Sequence, residues 1–364
     1  MTDTERYLDA INERLQNFCV DRRGEFMRIS EDLVPLVDYC ADLLTGGKRF
    51  RALFAYWSYI GHGQAPLQDN EFEALVGIGA ALEMFHAAAL VHDDLIDQSD
   101  TRRGKTAIHK RFEAIHEQGA WSGSSVRFGA AGAILVGDLM LGWSSEIFGQ
   151  ALLLATNPVV EAACREEFSR MRVEVMAGQY LDVVEENAGS TRPIQESVAR
   201  ANQVMLFKTA KYSIEAPLLI GAAFAGANRH EFAQVSSFGI PLGLAFQLRD
   251  DILGVFGDPA VTGKPAGDDL REGKRTVLVA HTRSALSPLV SKEFDKLLTS
   301  GQLSNHQIGF LQQTIKGSGA LAKTEQVMNQ LADNALSALS HLEIQASAKL
   351  ALETLARKVV DREN

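Results

Sequence analysis

The sequence predicts an all-α fold, a single-domain bundle of long helices, and three observations carry that prediction. Apolar residues recur at helical spacing almost throughout, while the β-branched alternation of strands is scarce. Breaks rich in Gly, Pro, Asn and Ser fall at 61–70, 117–129, 156–158, 186–193, 257–269 and 316–320. The segments between them run to roughly 20–35 residues, long for globular helices and suited to a bundle.

The N-terminal stretch "MTDTERYLDAINERL" is charged and lacks the apolar core of a signal peptide. Residues 1–25 are expected to form a helical arm, and residues 26–364 one domain. "TGGKRFR" (45–51) then places Lys48, Arg49 and Arg51 beside two glycines, a candidate anion loop. Next, "GIGAALEMFHAAALV" is an apolar helix that runs into "HDDLIDQSDTRRGK". "APLLIGAAFAGA" is a second small-residue helix, where alanine and glycine let axes approach or line a cavity. "FQLRDDILGVFGD" again ends an apolar helix in paired aspartates, and a glycine-rich basic loop follows.

Of the 364 residues, 46% are hydrophobic and 23% charged, ample for a large core. A net charge of −10 argues against a nucleic-acid partner and against adhesion to anionic lipid. Cys19, Cys40 and Cys164 are odd in number and form no CxxC, which disfavours disulfide or zinc roles. No uninterrupted apolar run reaches the ~20 residues that span a bilayer. A soluble, cytoplasmic protein without stable membrane insertion is expected.

On a helix Asp93 and Asp97 share a face, while Asp94 points away by roughly 100°. Same-face carboxylates repel unless a cation intervenes, and magnesium accepts one or two carboxylates plus substrate phosphates. Arg102 and Arg103 follow, with guanidinium forks that match phosphate oxygens. The second cluster holds Asp250 and Asp251, then Lys264, Asp268, Asp269, Lys274 and Arg275. Each cluster alone reads as a solvated surface. Two acidic helix ends and three basic loops in one acidic chain point to a metal and polyphosphate site.

These motifs resemble those of the trans-isoprenyl diphosphate synthases, the polyprenyl synthetases. The resemblance runs in order through "GGKRFR", "EMFHAAALVHDDLIDQSDTRRGKTAIH", "LVGDLM", "GQYLD", "FKT" and "FQLRDDILGVFGD…GKPAGDD…GKRT". It implies the isoprenoid synthase fold, about ten or more helices around a central cavity, usually as a homodimer, with the two acidic motifs facing each other across the cavity mouth. It also implies Mg2+, three ions per site: two on Asp93 and Asp97, a third on Asp250. Arg102, Lys208 and Lys264 would grip an allylic diphosphate. Lys48, Arg51, His86 and Arg103 would bind isopentenyl diphosphate, with Lys274 a further basic ligand. Thr209 and Gln247 would present oxygens to the cationic carbon, supported by Gln179 and Asp182. The implied reaction is head-to-tail condensation to an all-trans prenyl diphosphate.

One position departs from the family pattern. The second motif is commonly DDxxD, and here its fifth residue is Gly254, so Asp250 lacks a same-face partner and Asp251 is a weaker ligand candidate. In this family, bulky aromatics four and five residues before the first aspartate stop the chain early. Those positions are Ala89 and Ala88. Phe85, with Met84, lies one turn further, roughly 12 Å from Asp93 at about 1.5 Å per residue. Phe85 is therefore expected to floor the cavity and set a C20 product. The alternatives are a farnesyl or longer-chain synthase, or a non-catalytic regulatory subunit. A terpene cyclase would not need the second basic loop, and tandem aspartate motifs favour head-to-tail over head-to-head synthases.

Overall fold

The computed structural model describes residues 2–63, 66–102, 104–155, 157–258, 266–301 and 303–360. Among the described residues the only strands form one short hairpin; the remaining regular structure is helical. The chain divides into two compact units, Met1–Tyr56 with Gly63–Glu161, and Trp57–His62 with Ala162–Asn364.

In the first unit, α1 (Asp3–Ile29) opens on a capping box: the Thr2 hydroxyl accepts from the Glu5 amide, and the Glu5 carboxylate from the Thr2 amide. The helix runs on past residue 25, the limit the sequence suggested for an arm. It buries Tyr7, Ile11, Leu15, Phe18 and Cys19. After α2 (Val34–Leu44), α3 (Phe50–His62) gives its first turns to this unit. In α4 (Asp69–Ile96) every residue from Ala74 to Phe85 is buried, so this part of the helix is enclosed on all sides, and Glu83 is its one charged residue. Its end leads into β1 (Thr101–Arg102) and β2 (Lys105–Thr106), antiparallel with Arg102 opposite Lys105. Gly104, at φ +71°, supplies the left-handed residue of that turn.

Beyond α5 (Ile108–Gln118), α6 (Ser125–Leu152) packs along α4. The Ser144 hydroxyl donates to the Ala81 carbonyl at 2.7 Å, and a carbon added to Gly77 would come within 2.6 Å of Ala151 Cβ. By length and composition both α4 and α6 could span a membrane, although Glu83 and His86 interrupt the apolar run of α4 and Asp138 that of α6. The apolar window of α4 is 83% buried within the protein, the position of a core helix, against 33% for α6.

In the second unit, which takes α7 (Pro158–Ala188) from Ala162 onward, that helix is followed by α8 (Ser197–Val204). Met205–Glu215 is wound as a π-helix, closed by a bond from the Ala216 amide to the Lys211 carbonyl. Then come α9 (Ala216–Phe224), α10 (Arg229–Phe256), α11 (Asp268–Arg271), α12 (Val277–Ala285), α13 (Pro288–Leu298), α14 (Asn305–Gly317), α15 (Ala320–His341) and α16 (Ala346–Val360). Two apolar clusters hold the end of α10. Val255 packs with Leu270, Phe294, Leu311 and Ile315, while Leu248 and Ile252 pack with Met205 and Met328. Each such large apolar side chain, fully buried, stabilises by roughly 1.5–3 kcal/mol.

Candidate active site

The first acidic cluster closes α4. Asp97 is its C-cap, with an amide bonded to the Asp93 carbonyl at 2.8 Å, so the last turn keeps Asp93 and Asp97 in helical register. Asp93 and Asp97 are half-buried, while Asp94 is only 2% exposed. Its partner is Arg102 from the hairpin. The guanidinium Nε donates to Asp94 Oδ1 at 2.7 Å, Nη2 donates to the same oxygen, and Nη2 stands 3.5 Å from Asp93 Oδ2. The aspartate that pointed away in helical projection is thus the anchor of the arginine expected on the diphosphate.

Just upstream, His92 explains a glycine in "LVGDLM". A carbon on Gly137 would stand 2.1 Å from His92 Nε2, and that nitrogen lies 3.6 Å from Asp138 Oδ1. Further up α4, His86 is half-buried, Phe85, Met84 and Ala88 are fully buried, and Ala89 is half-buried. In the anion loop Lys48 is exposed and Arg51 half-buried. Arg49 between them is 7% exposed and turned inward.

The second cluster is built around the π-helix, which carries Lys208 and Thr209, both half-buried. Lys208 Nζ lies 2.5 Å from Asp182 Oδ2 of α7, so "GQYLD" and "FKT" form one ion pair. Two glycines make the fit possible. A carbon on Gly178 would fall 2.3 Å from the Lys208 amide nitrogen, and one on Gly243 would fall 2.5 Å from Ala210 Cα. The π-helix is therefore gripped backbone to backbone between α7 and α10. Gln247 Nε2 donates to Asp251 Oδ1 at 2.7 Å. Among the described residues its carbonyl oxygen is left for another partner. Asp250 is half-buried, and Asp251 is 4% exposed. Burial raises the Asp251 carboxyl to about 8; Asp269, Asp250 and Asp182 add to the rise and the Gln247 hydrogen bond opposes it.

Gly254 has a direct structural explanation. A carbon there would stand 2.0 Å from Asp269 Oδ2, so the Asp269 carboxylate fills the space of the missing side chain. Lys274 pairs with Glu272 at 2.7 Å, a partner that sequence reading missed. Arg103 and Lys264 lie outside the described residues.

The donors fit magnesium. Each acidic cluster offers hard carboxylate oxygens, and among the described residues no three His, Cys, Asp or Glu side chains close into a cage. Magnesium takes one or two carboxylates and completes its shell with water and phosphate oxygens. In the first unit the structure brings together Asp93, Asp94, Asp97 and Arg102. In the second it brings together Asp182 with Lys208, Gln247 with Asp251, and Asp269 with Gly254.

A family model described as polyprenyl synthetase matches residues 34–314. Over 279 residues the chain is 34% identical to a geranylgeranyl diphosphate synthase of Sulfolobus acidocaldarius, covering 76% of this chain and 74% of that one. A short chain isoprenyl diphosphate synthase of Methanocaldococcus jannaschii is 29% identical over 316 residues, 87% of this chain and 84% of its own. Among solved structures, the chain matches a geranylgeranyl pyrophosphate synthase from Corynebacterium glutamicum, complexed with isoprenyl diphosphate and magnesium. That match has a TM-score of 0.89, 34% identity and 100% coverage of both chains.

Proposed function

Since the chain belongs to the polyprenyl synthetase family and is an isoprenyl diphosphate synthase, a prenyltransferase, we propose that its product is C20 geranylgeranyl diphosphate. The observation that carries this reading is the pair Ala88 and Ala89 ahead of Asp93, with the fully buried Phe85 one turn beyond. The likeness to two synthases named for that product supports it. Sizing the products made from isopentenyl diphosphate and each allylic primer tests it; a C15 or C30-and-longer majority overturns it.

In this reading Asp93 and Asp97 would hold two magnesium ions and Asp250 the third. Magnesium, when bound, supplies positive charge to the departing diphosphate, worth most in a site that excludes water. Lys208, Arg102 and Lys264 add fixed cations to the same allylic diphosphate. Lys208 is held for that task by Asp182, and Arg102 by Asp94. As the allylic C–O bond breaks, Thr209 and the Gln247 carbonyl face the cationic carbon. Lys48, Arg51, His86 and Arg103 orient isopentenyl diphosphate, with Lys274 a further basic ligand. Its double bond supplies the electron pair for the new C–C bond, and the proton lost goes to a diphosphate oxygen.

A cytoplasmic homodimer completes the proposal. The outer face of α6 leaves Ile134 47% and Leu135 54% exposed, adjacent apolar side chains that a second copy would cover. Sedimentation of wild type and Leu135→Glu tests the face; equal masses at the monomer value reject it.

A further inference from the structure

We propose that α1 is a positioning element for the isopentenyl diphosphate site, acting through Asn12 on Arg49. The inference rests on the reading that Lys48 and Arg51 hold that diphosphate.

Gly46 and Gly47 adopt φ +76° and +94°, and Arg49 adopts φ +50°, a left-handed conformation that long side chains take only when their surroundings hold it. The hold is visible. Arg49 turns its guanidinium into the protein, where Nη2 donates to the Leu44 carbonyl and, at 3.1 Å, to Asn12 Oδ1. Nε donates to the same Asn12 oxygen at 3.3 Å, and Nη1 donates to Glu83 Oε2 at 3.4 Å. Glu83 Oε1 in turn accepts from the Ala52 amide at 3.4 Å, at the start of α3.

A buried guanidinium is stable only with its donors satisfied. Glu83 supplies the counter-charge and Leu44 a carbonyl. Asn12 supplies the acceptor for two of the four bonds, and among the described residues it is the only contribution from α1 to this shell. The helix itself is pinned elsewhere, because the Tyr7 hydroxyl donates to the Leu75 and Ala52 carbonyls at 3.0 and 3.3 Å, and Ile11 packs where Gly79 leaves room. Asn12 is thus presented from a fixed helix. Its hold on Arg49 fixes the turn, and the turn sets where Lys48 and Arg51 stand. A shift of about 1 Å in such groups costs up to 10²-fold in turnover.

The test compares steady-state kinetics of Asn12→Leu and Asn12→Asp with wild type. Ile11→Val serves as a control that loosens α1 without touching Arg49, and Lys48→Ala as a check on the loop. Asn12→Leu is expected to raise the KM for isopentenyl diphosphate roughly tenfold, the scale of one hydrogen bond to a charged group. The allylic KM should stay within about twofold, as should all parameters of Ile11→Val. Asn12→Asp keeps the acceptor and should rescue most of the loss. Equal changes in both KM values, no change in either, or the same pattern in Ile11→Val would overturn the proposal. An unchanged KM in Lys48→Ala would instead remove the loop assignment beneath it, and the inference with it.

Discussion

Asp269 Oδ2 stands 2.0 Å from the point where a side-chain carbon on Gly254 would begin. The glycine and the aspartate come from different elements, the end of α10 and the first turn of α11, yet they share one space. The second acidic motif has therefore not simply lost a carboxylate. A carboxylate from downstream in the chain occupies its place.

Restoring the family pattern should consequently do harm. Gly254→Asp forces a second carboxylate onto Asp269 and should cost about 1–3 kcal/mol of stability through overpacking alone. Turnover should fall as well. The double variant Gly254→Asp/Asp269→Gly removes the clash and should recover melting temperature and kcat relative to the single variant. Additive losses in thermal melts and initial rates would contradict the shared space.

Asp93→Ala should abolish turnover, with a loss of roughly 10³-fold or more, since it removes a carboxylate that fixes charge at the leaving group. Chelation by EDTA should do the same and leave the melting temperature of the ligand-free protein unchanged. Rate assays and calorimetry, each with magnesium added back, check both.

Asp94→Ala tests the anchor of Arg102. Removing one partner of a buried ion pair costs ~3–5 kcal/mol, and Asp93 at 3.5 Å remains to receive the guanidinium, so about 2–3 kcal/mol is expected. The allylic KM should rise more than the isopentenyl KM. Denaturant melts and two-substrate kinetics read the two effects separately.

Phe85→Ala should shift products above C20, and Ala88→Phe should shift them below. If Phe85 is only a core side chain, its loss still costs ~3–5 kcal/mol but leaves the product length unchanged. Chromatography of the dephosphorylated products separates these outcomes.

Gly178→Ala should push α7 off the π-helix, because the new carbon meets the Lys208 amide at 2.3 Å. Destabilisation of about 1–3 kcal/mol is expected, with a larger fall in kcat than in either affinity. Melting curves and saturation kinetics provide the check.

Fold class was legible because helical periodicity is a local property repeated along the chain. The carboxylates and cations of the site were legible as residue types at fixed spacing. Their partners were not. Asp94 pairs with Arg102 only because the hairpin folds back, and helical projection of α4 alone turned Asp94 away. The π-helix has no residue signature, and Gly178, Gly137 and Gly254 declare their purpose only once the neighbouring backbone or side chain is in place. Arg49 reads as a third cation of the anion loop until its positive φ and its bonds to Asn12 and Glu83 are seen.

The wide coil from Met205 to Glu215 carries a further consequence. Most helices absorb an insertion or deletion at a loop, but here both flanks are clamped, at Gly178 and at Gly243. Deleting one amino acid would let the coil tighten to ordinary winding, which absorbs the missing residue but turns the side chains next to it off the faces they now hold. Lys208 would then face the wrong way, so this stretch can vary in composition far more freely than in length.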